Sequence, residues 1–481
     1  MNTTGLDRRR RLLVLAICCM SLLIVGMDNT IVNVALPSIR RDLSASVEGL
    51  QWTIDAYTLV LASLLILSGS TADRLGRRRT FQTGLVLFTL GSLLCSVAPG
   101  LGWLIAFRAL QAIGGSMLNP VAMSIITNVF TDPRERAQAI GVWGGVVGIS
   151  LGVGPIVGGL LTESISWRAI FWINVPIGVA ALVLAAIFVP ESKAPRARGV
   201  DPIGQILVIV LLASLTYGII HAPVVGWISW QSGALLLVAV LALVGLISYE
   251  PRRVDPLIEL RFFRSLPFTG ATVIAVCAFG AFSGFLFLTT LYLQDVRGLD
   301  ALDAGLFLLP LAVVVGVLAP ISGRIVGIRG PRIPLFLAGI AMTVAGLALT
   351  GLSNTTSYAW LIGALVVYGV GFGFVNAPIT NTAVSGMPRE QAGVAAAVAS
   401  TSRQVGGSLG VAIIGSVVNT SAGIGKGFAH ATHPAWWIVA TAGFLVLLVG
   451  LGTSGARARE SARRTAERLS SDVHEPALSA R

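Results

Sequence analysis

Three ionisable residues stand inside runs that are otherwise apolar: Asp28, Asp55 and Arg108. At the centre of a hydrocarbon layer each costs ~2.5 kcal/mol or more, so each needs a partner or a task. If the runs are helices crossing a membrane from an inner N-terminus, Asp28 lies about 24 Å from the inner end of its helix. Asp55 and Arg108 lie ~9 Å and ~10 Å below the outer ends of theirs, by the same rise of about 1.5 Å per residue. All three then reach one level. Two carboxylates beside one guanidinium hold one or two negative charges, and the surroundings decide whether the second proton is kept. Such a set can couple proton movement to other work: Asp28 or Asp55 is expected to load a proton from outside, with Arg108 modulating both. The plainer expectation is a permanent Asp–Arg pair that ties helices together. An aspartate in this place would also attract a cationic substrate. Asn33, Gln111 and Arg403 are further polar candidates for a substrate cavity. Arg403, inside TSRQVGG, would face an anionic group or cap a polar network.

The elements that must position these residues follow from composition. The 481 residues are 54% apolar and 12% charged, with a mean hydropathy of +0.83, outside the range of soluble globular chains. Apolar runs long enough to cross a bilayer fall near 12–36, 49–71, 80–98, 101–129, 135–162 and 166–189. A pair follows at 203–221 and 231–249, then six more near 267–293, 302–325, 333–353, 357–383, 391–419 and 434–454. The expected fold is an all-α polytopic membrane protein with 14 transmembrane helices, in two pseudo-symmetric six-helix bundles plus an inserted helix pair. The segments are an inner N-terminus (1–11), a first bundle (12–189), a linker holding the inserted pair (190–265), a second bundle (266–455) and a tail (456–481). That tail, mixed in charge and poor in large apolar residues, is expected to be solvated and partly disordered. The Arg8–Arg11 run before the first span resembles the start of a signal peptide, but the apolar run is long and lacks a small-residue cleavage site, so it reads as an uncleaved span.

The net charge of +12 is not a nucleic-acid signal, because the basic residues occupy short loops. With the termini inside, 27 Lys and Arg residues lie in inner loops and tails and five in outer loops, so the positive-inside rule selects this orientation. Only Lys193 and Lys426 are lysines, and neither closes a GxxxxGKS or GxxxxGKT phosphate loop, so no ATP is expected. Cys18, Cys19, Cys95 and Cys277 lie in apolar runs without metal or disulfide spacing. No catalytic constellation, metal or cofactor is expected.

Two inner loops repeat. Gly69, Gly76 and Arg78 superimpose on Gly323, Gly330 and Arg332 with a displacement of 254, and Pro133, Arg134 and Glu135 return as Pro388, Arg389 and Glu390 with a displacement of 255. Duplicated halves are a common construction of secondary transporters, which rock about a site near the midplane.

On these motifs the chain resembles the major facilitator superfamily, and within it the fourteen-spanner branch of drug/proton antiporters. The loop GSTADRLGRR is similar to the superfamily signature GxxxDRxGRR, at Gly69, Asp73, Arg74, Gly76, Arg77 and Arg78. The resemblance implies a conformational latch there; in the second copy Gly327 replaces the aspartate. MDNTIVNVALP, QWTIDAYTL and WRAIFWINVPIG resemble the branch's spans 1, 2 and 6, and FRALQAIGG carries its Arg-x-x-Gln pattern at Arg108 and Gln111. Span 5 resembles the antiporter motif at Gly154, Pro155 and Gly159, with Ser150 in place of one glycine. Its Gly141, Gly145, Gly148, Gly152 and Gly159 form a bare stripe that lets another helix approach. The resemblance implies export of a hydrophobic drug, including cationic ones, across the inner membrane of a bacterium in exchange for protons. A narrow natural-product exporter and a transporter-like sensor are the alternatives.

Overall fold

A computed structural model of the chain describes residues 7–193, 199, 201–253, 256–385, 387, 392–423 and 427–474. Among them no strand occurs, as expected where lipid offers the backbone no hydrogen bonds and each segment must satisfy its own. The first helices are α1 (Arg8–Leu43), α2 (Val47–Leu75), α3 (Arg77–Ser96), α4 (Leu101–Val129), α5 (Pro133–Ser164), α6 (Ala169–Trp172) and α7 (Asn174–Phe188). Next come α8 (Pro202–Val225) and α9 (Trp230–Tyr249). The rest are α10 (Leu266–Leu291), α11 (Ala301–Phe307), α12 (Leu309–Arg329), α13 (Arg332–Leu349), α14 (Tyr358–Val384), α15 (Ala392–Gly423), α16 (Phe428–Ala431), α17 (His433–Gly452) and α18 (Ala456–His474).

Counting broken rods such as α6 with α7 as one, 11 helices among the described residues are long and apolar enough to cross a membrane. The long helix α3 is not among them, because three arginines open it. Polar side chains set several helix starts. Ser46, Ser229 and Ser357 accept from the amides of Gly49, Ser232 and Trp360, and Asp201 and Asp300 do the same for α8 and α11.

The packing of the first helices recurs in the later ones. The contacts of α1 with α4, α5 and α7, of α4 with α2 and α3, and of α3 with α7 return as those of α10 with α14, α15 and α17, of α14 with α12 and α13, and of α13 with α17. The matched loops share a backbone device as well: Gly76 and Gly330 both sit at positive φ, +118° and +79°, where a side chain would be strained. Pro388, Arg389 and Glu390 of the second loop pair lie outside the described residues.

Two seams join the early and late helices. At one, α5 meets α11 and α12 backbone to backbone: a Cβ at Gly159 would strike Ala301 and Leu302, and one at Gly305 would strike Pro155. At the other, α2 meets α15, where Gly415 makes room for Gln51. Arg40 pairs with Asp295 at 3.1 Å, and Gln294 donates to the Val34 carbonyl at 2.8 Å, so contacts also join the ends expected to be outer. Helix α8 packs on α2, α9 and α15. It is tied to α2 by the Gln205 amide on the Ser63 carbonyl (2.6 Å) and by His221 with Glu48 (3.0 Å), and to α15 by the Ser416 hydroxyl on the Ile219 carbonyl (2.7 Å).

The tail corrects an expectation. Residues Ala456–His474 form a helix, with Ala458, Ala462, Thr465 and Leu469 buried on one face. It packs on α10 and the 3-10 turn Leu260–Arg264. Glu460 pairs with Arg463 and Arg464 on its open side, and Ser461 donates to the Arg264 carbonyl.

Candidate functional site

Helix α4 places Arg108 and Gln111 one turn apart on the same face, and that face meets α1, α2 and α3. Asp28 of α1 and Arg108 are 0% and 1% exposed, so neither charge is relieved by water. They solve the problem together. One carboxylate oxygen of Asp28 accepts from the Arg108 guanidinium at 2.5 Å; the other accepts from the amides of Gln111 (2.9 Å) and Asn174 (3.2 Å). Both amides also donate to the Ser92 hydroxyl, which donates to the Phe171 carbonyl at 2.9 Å. Arg108 further donates to Gln111 Oε1 (2.8 Å) and to the Thr53 carbonyl (3.2 Å), and its guanidinium lies 4.2 Å from the Tyr57 ring centroid. Helices α1, α2, α3, α4 and α7 thus close on one ion pair. Removing either charge would strand the other, a loss of about 3–5 kcal/mol for buried pairs.

Asp55 is at the same level, since Arg108 touches the carbonyl of Thr53, but it is not in this network. Two residues on a helix are about 200° apart, and Asp55 therefore points away from Arg108. The expected group of two carboxylates beside one guanidinium is corrected to one pair and one separate acid. Asp55 faces α15. One oxygen accepts from the Thr58 hydroxyl at 3.3 Å; the other is buried and faces the Ser408 hydroxyl of α15 across the seam. One turn away, Gln51 donates to the carbonyls of Val411 (3.3 Å) and Ala412 (3.0 Å). The α2–α15 seam is therefore held by an amide and contains a carboxyl group with no cation beside it.

Asp28 also corrects the expectation of an aspartate open to a cationic substrate, because its oxygens are all engaged. Gln111 belongs to the ion-pair network. Asn33 is buried and donates to the Asn29 carbonyl of its own helix at 3.1 Å. Arg403 stands apart, on α15: it donates to the Thr380 hydroxyl of α14, and its guanidinium carbon is 5.7 Å from the Phe279 ring centroid of α10.

The loop between α2 and α3 is tightly tied. Asp73 accepts from Arg77 at 3.0 Å, while Glu191 accepts from the backbone amides of Arg78 (3.1 Å) and Arg79 (3.3 Å) at the start of α3. Arg74 and Gly69 flank this turn, and Gly69 lies against Pro120 of α4. On α5, Gly152 and Gly159 face α11 and α12, and Gly154 faces Met27 and Thr30 of α1, next to Pro155. Gly141, Gly145 and Gly148 lie on the same helix, but their surroundings fall outside the described residues.

Sequence reasoning missed Ser92, Asn174, Tyr57, Gln51, Ser408 and Glu191. Asn174, Tyr57 and Gln51 stand within the span 2 and span 6 segments that carry the resemblance, where a polar residue in an apolar run is the signal.

A helical membrane chain with duplicated packing and a buried charge network has the build of a secondary transporter. Residues 18–411 match the Major Facilitator Superfamily, and the chain belongs to that family of transporters. Multidrug resistance protein Stp of Mycobacterium tuberculosis is 36% identical over 410 residues, which are 85% of this chain and 76% of that protein. The tetracenomycin C resistance and export protein of Streptomyces glaucescens is 38% identical over 405 residues, 83% of this chain and 74% of that one. The puromycin resistance protein pur8 of Streptomyces alboniger is 37% identical over 437 residues, 90% and 86%. Among solved structures, a bacterial homologue of the lysosomal transporter Spinster, inward-facing and occupied, shares the fold at TM-score 0.65 and 16% identity, over 95% of this chain and 98% of that one. The D-xylose-proton symporter does so at TM-score 0.65 and 14% identity, over 92% and 98%.

Proposed function

We propose that this protein is a proton-coupled antiporter that exports a hydrophobic drug or antibiotic across the bacterial inner membrane and confers resistance. It would have fourteen spans with both termini in the cytoplasm, made of bundles at 12–189 and 266–455 and the inserted pair α8 and α9. The relatives named above supply the drug; the carboxyl group of Asp55, without a counter-charge at the seam between early and late helices, carries the proton coupling. Closing α2 on α15 over an ionised carboxylate that has no counter-charge is costly, so closure is linked to proton uptake. The proton loads when the seam opens outward, travels with the closing seam, and leaves to the cytoplasm before the next drug binds. Asp28 and Arg108 hold the helix cluster that frames this movement. The Gly69–Arg78 loop acts as the latch between states, and the α5 glycines let the second seam slide and close.

A potential of about 150 mV gives roughly 3.5 kcal/mol for one proton, enough for a few-hundredfold gradient of a neutral drug. The test uses everted membrane vesicles carrying a pH-sensitive dye. Added drug should dissipate the proton gradient with the wild-type chain and not with Asp55→Asn, while Asp55→Asn still binds drug. Unchanged proton-driven efflux in Asp55→Asn would overturn the role of Asp55. The narrow natural-product reading is favoured by the tetracenomycin C relative. It is separated in the same vesicles, where a narrow exporter would respond to one scaffold of a drug panel.

A further inference from the structure

Arg403 is the membrane charge that the proposed antiport cycle leaves without work. It lies about 16 Å along α15 from that helix's first residue, well inside a hydrocarbon layer of roughly 30 Å. It donates to the Thr380 hydroxyl, its Nε–H is buried without an acceptor, and among the described residues it has no carboxylate partner. The rest of its side chain is partly exposed, and Thr380 is exposed. A guanidinium open to lipid tails would be expensive, so its exposed end calls for water or a polar partner.

The part-buried ring of Phe279 lies beside it and is backed by aromatic core: Phe279 meets buried Phe372 edge to face at 5.1 Å, Phe372 stacks on buried Phe282 at 3.8 Å, and Phe282 stacks towards buried Tyr368 at 6.4 Å. The spacing 279, 282 on α10 and 368, 372 on α14 puts these rings on facing sides of two packed helices. A fixed cation thus stands at the end of a row of rings. A flat cation would be repelled here, and neither aspartate of the early helices is free to compensate, since Asp28 is neutralised and Asp55 is closed behind α15.

We propose that Arg403, with Thr380 and Phe279, is a subsite for an anionic group, such as a carboxylate, enolate or sulfonate, on a planar aromatic substrate. This rests on the reading of the protein as a drug exporter and names its substrate class: aromatic acids and neutral aromatic acceptors ahead of lipophilic cations. A charge-assisted hydrogen bond from the exposed end of the guanidinium, with an aromatic body against the part-buried Phe279 ring, supplies the selectivity.

The test is equilibrium binding to the purified full chain in lipid nanodiscs, with no gradient present. The probes are anilinonaphthalene sulfonate, a flat anion, and ethidium, a flat cation, each read by fluorescence. Wild type should bind the sulfonate more tightly than ethidium. Arg403→Gln should weaken the sulfonate about tenfold or more, and Arg403→Lys should restore part of the loss, because Lys keeps the charge and loses the planar fork. Ethidium should bind Arg403→Gln as well as or better than wild type, which also shows that the variant is folded. Equal sulfonate affinity in wild type and Arg403→Gln, or a wild-type preference for ethidium, would overturn the subsite. Proton coupling is scored separately in the everted vesicles: lost coupling with intact sulfonate binding sinks antiport alone, and the reverse result sinks the subsite alone.

Discussion

Arg108 and Arg403 are both guanidiniums set inside the membrane, one in the early helices and one in the late ones, and their surroundings differ in kind. Arg108 is met by a carboxylate, an amide, a carbonyl and an aromatic face, all from the protein. Arg403 is met by a hydroxyl and the face of one ring. A buried charge with a full set of partners is spent on holding helices together. A charge with partners missing is open to something that arrives later, and the two arginines stand on helices that do not correspond in the duplicated packing, α4 and α15.

The comparison breaks most severely at Arg108. Asp28→Ala or Arg108→Ala should cost about 3–5 kcal/mol and remove most of the folded transporter, as seen by thermal melting in detergent. The double change Asp28→Asn with Arg108→Gln should recover part of that loss. If Arg108→Ala melts within a few degrees of wild type, the two arginines are not different in the way described.

A sharper test gives Arg403 what Arg108 has. Thr380→Glu places a carboxylate where the hydroxyl now accepts, and should weaken sulfonate binding about tenfold while leaving the melting temperature unchanged or higher. The outer pair Arg40–Asp295 marks the lower end of the scale. Both side chains are substantially exposed, and Arg40→Ala should change stability by about 0–1 kcal/mol, an effect that fades with added salt.

The smallest effect is at α18. The guanidiniums of Arg463 and Arg464 hold the Glu460 carboxyl below its usual range. A carboxyl with a lowered folded value contributes stability above its ordinary range and loses it as pH falls through the lowered value. A nitroxide at Glu467→Cys should therefore keep its mobility as pH passes the ordinary carboxylate range and loosen only below it. Loosening already at neutral pH would remove these pairs from the account of the tail.

The all-helical build and the level of the three charged residues could be read from sequence because both depend on local pattern and rise along a helix. Which way each residue faces could not, because rotation about the axis is set by packing partners hundreds of residues away. Rise alone therefore puts Asp28, Asp55 and Arg108 at one level, whereas rotation lets Asp28 meet Arg108 and turns Asp55 to a different neighbour. Asn174 and Ser92 escaped for the same reason: neither has a local partner, and their value appears only when α3 and α7 meet α1. The tail was misread through its lack of large apolar residues. Alanine at 458 and 462 is enough when the opposing surface is close, and the Glu460 pairs support the helix locally.

The placement of α8 makes the two flanks of the protein unequal towards the bilayer. It runs along the line where α2 meets α15, fastened to α2 near both ends and to α15 by Ser416. A greasy molecule dissolved in the lipid therefore finds that flank walled off. Both flanks present aliphatic side chains outward, Ile203 and Ile206 on α8 and Ile149, Val313 and Val317 on α5 and α12, but only the first carries an added helix over the line of contact. Because α8 is fastened to both α2 and α15, any parting of that line of contact must also strain its own attachments.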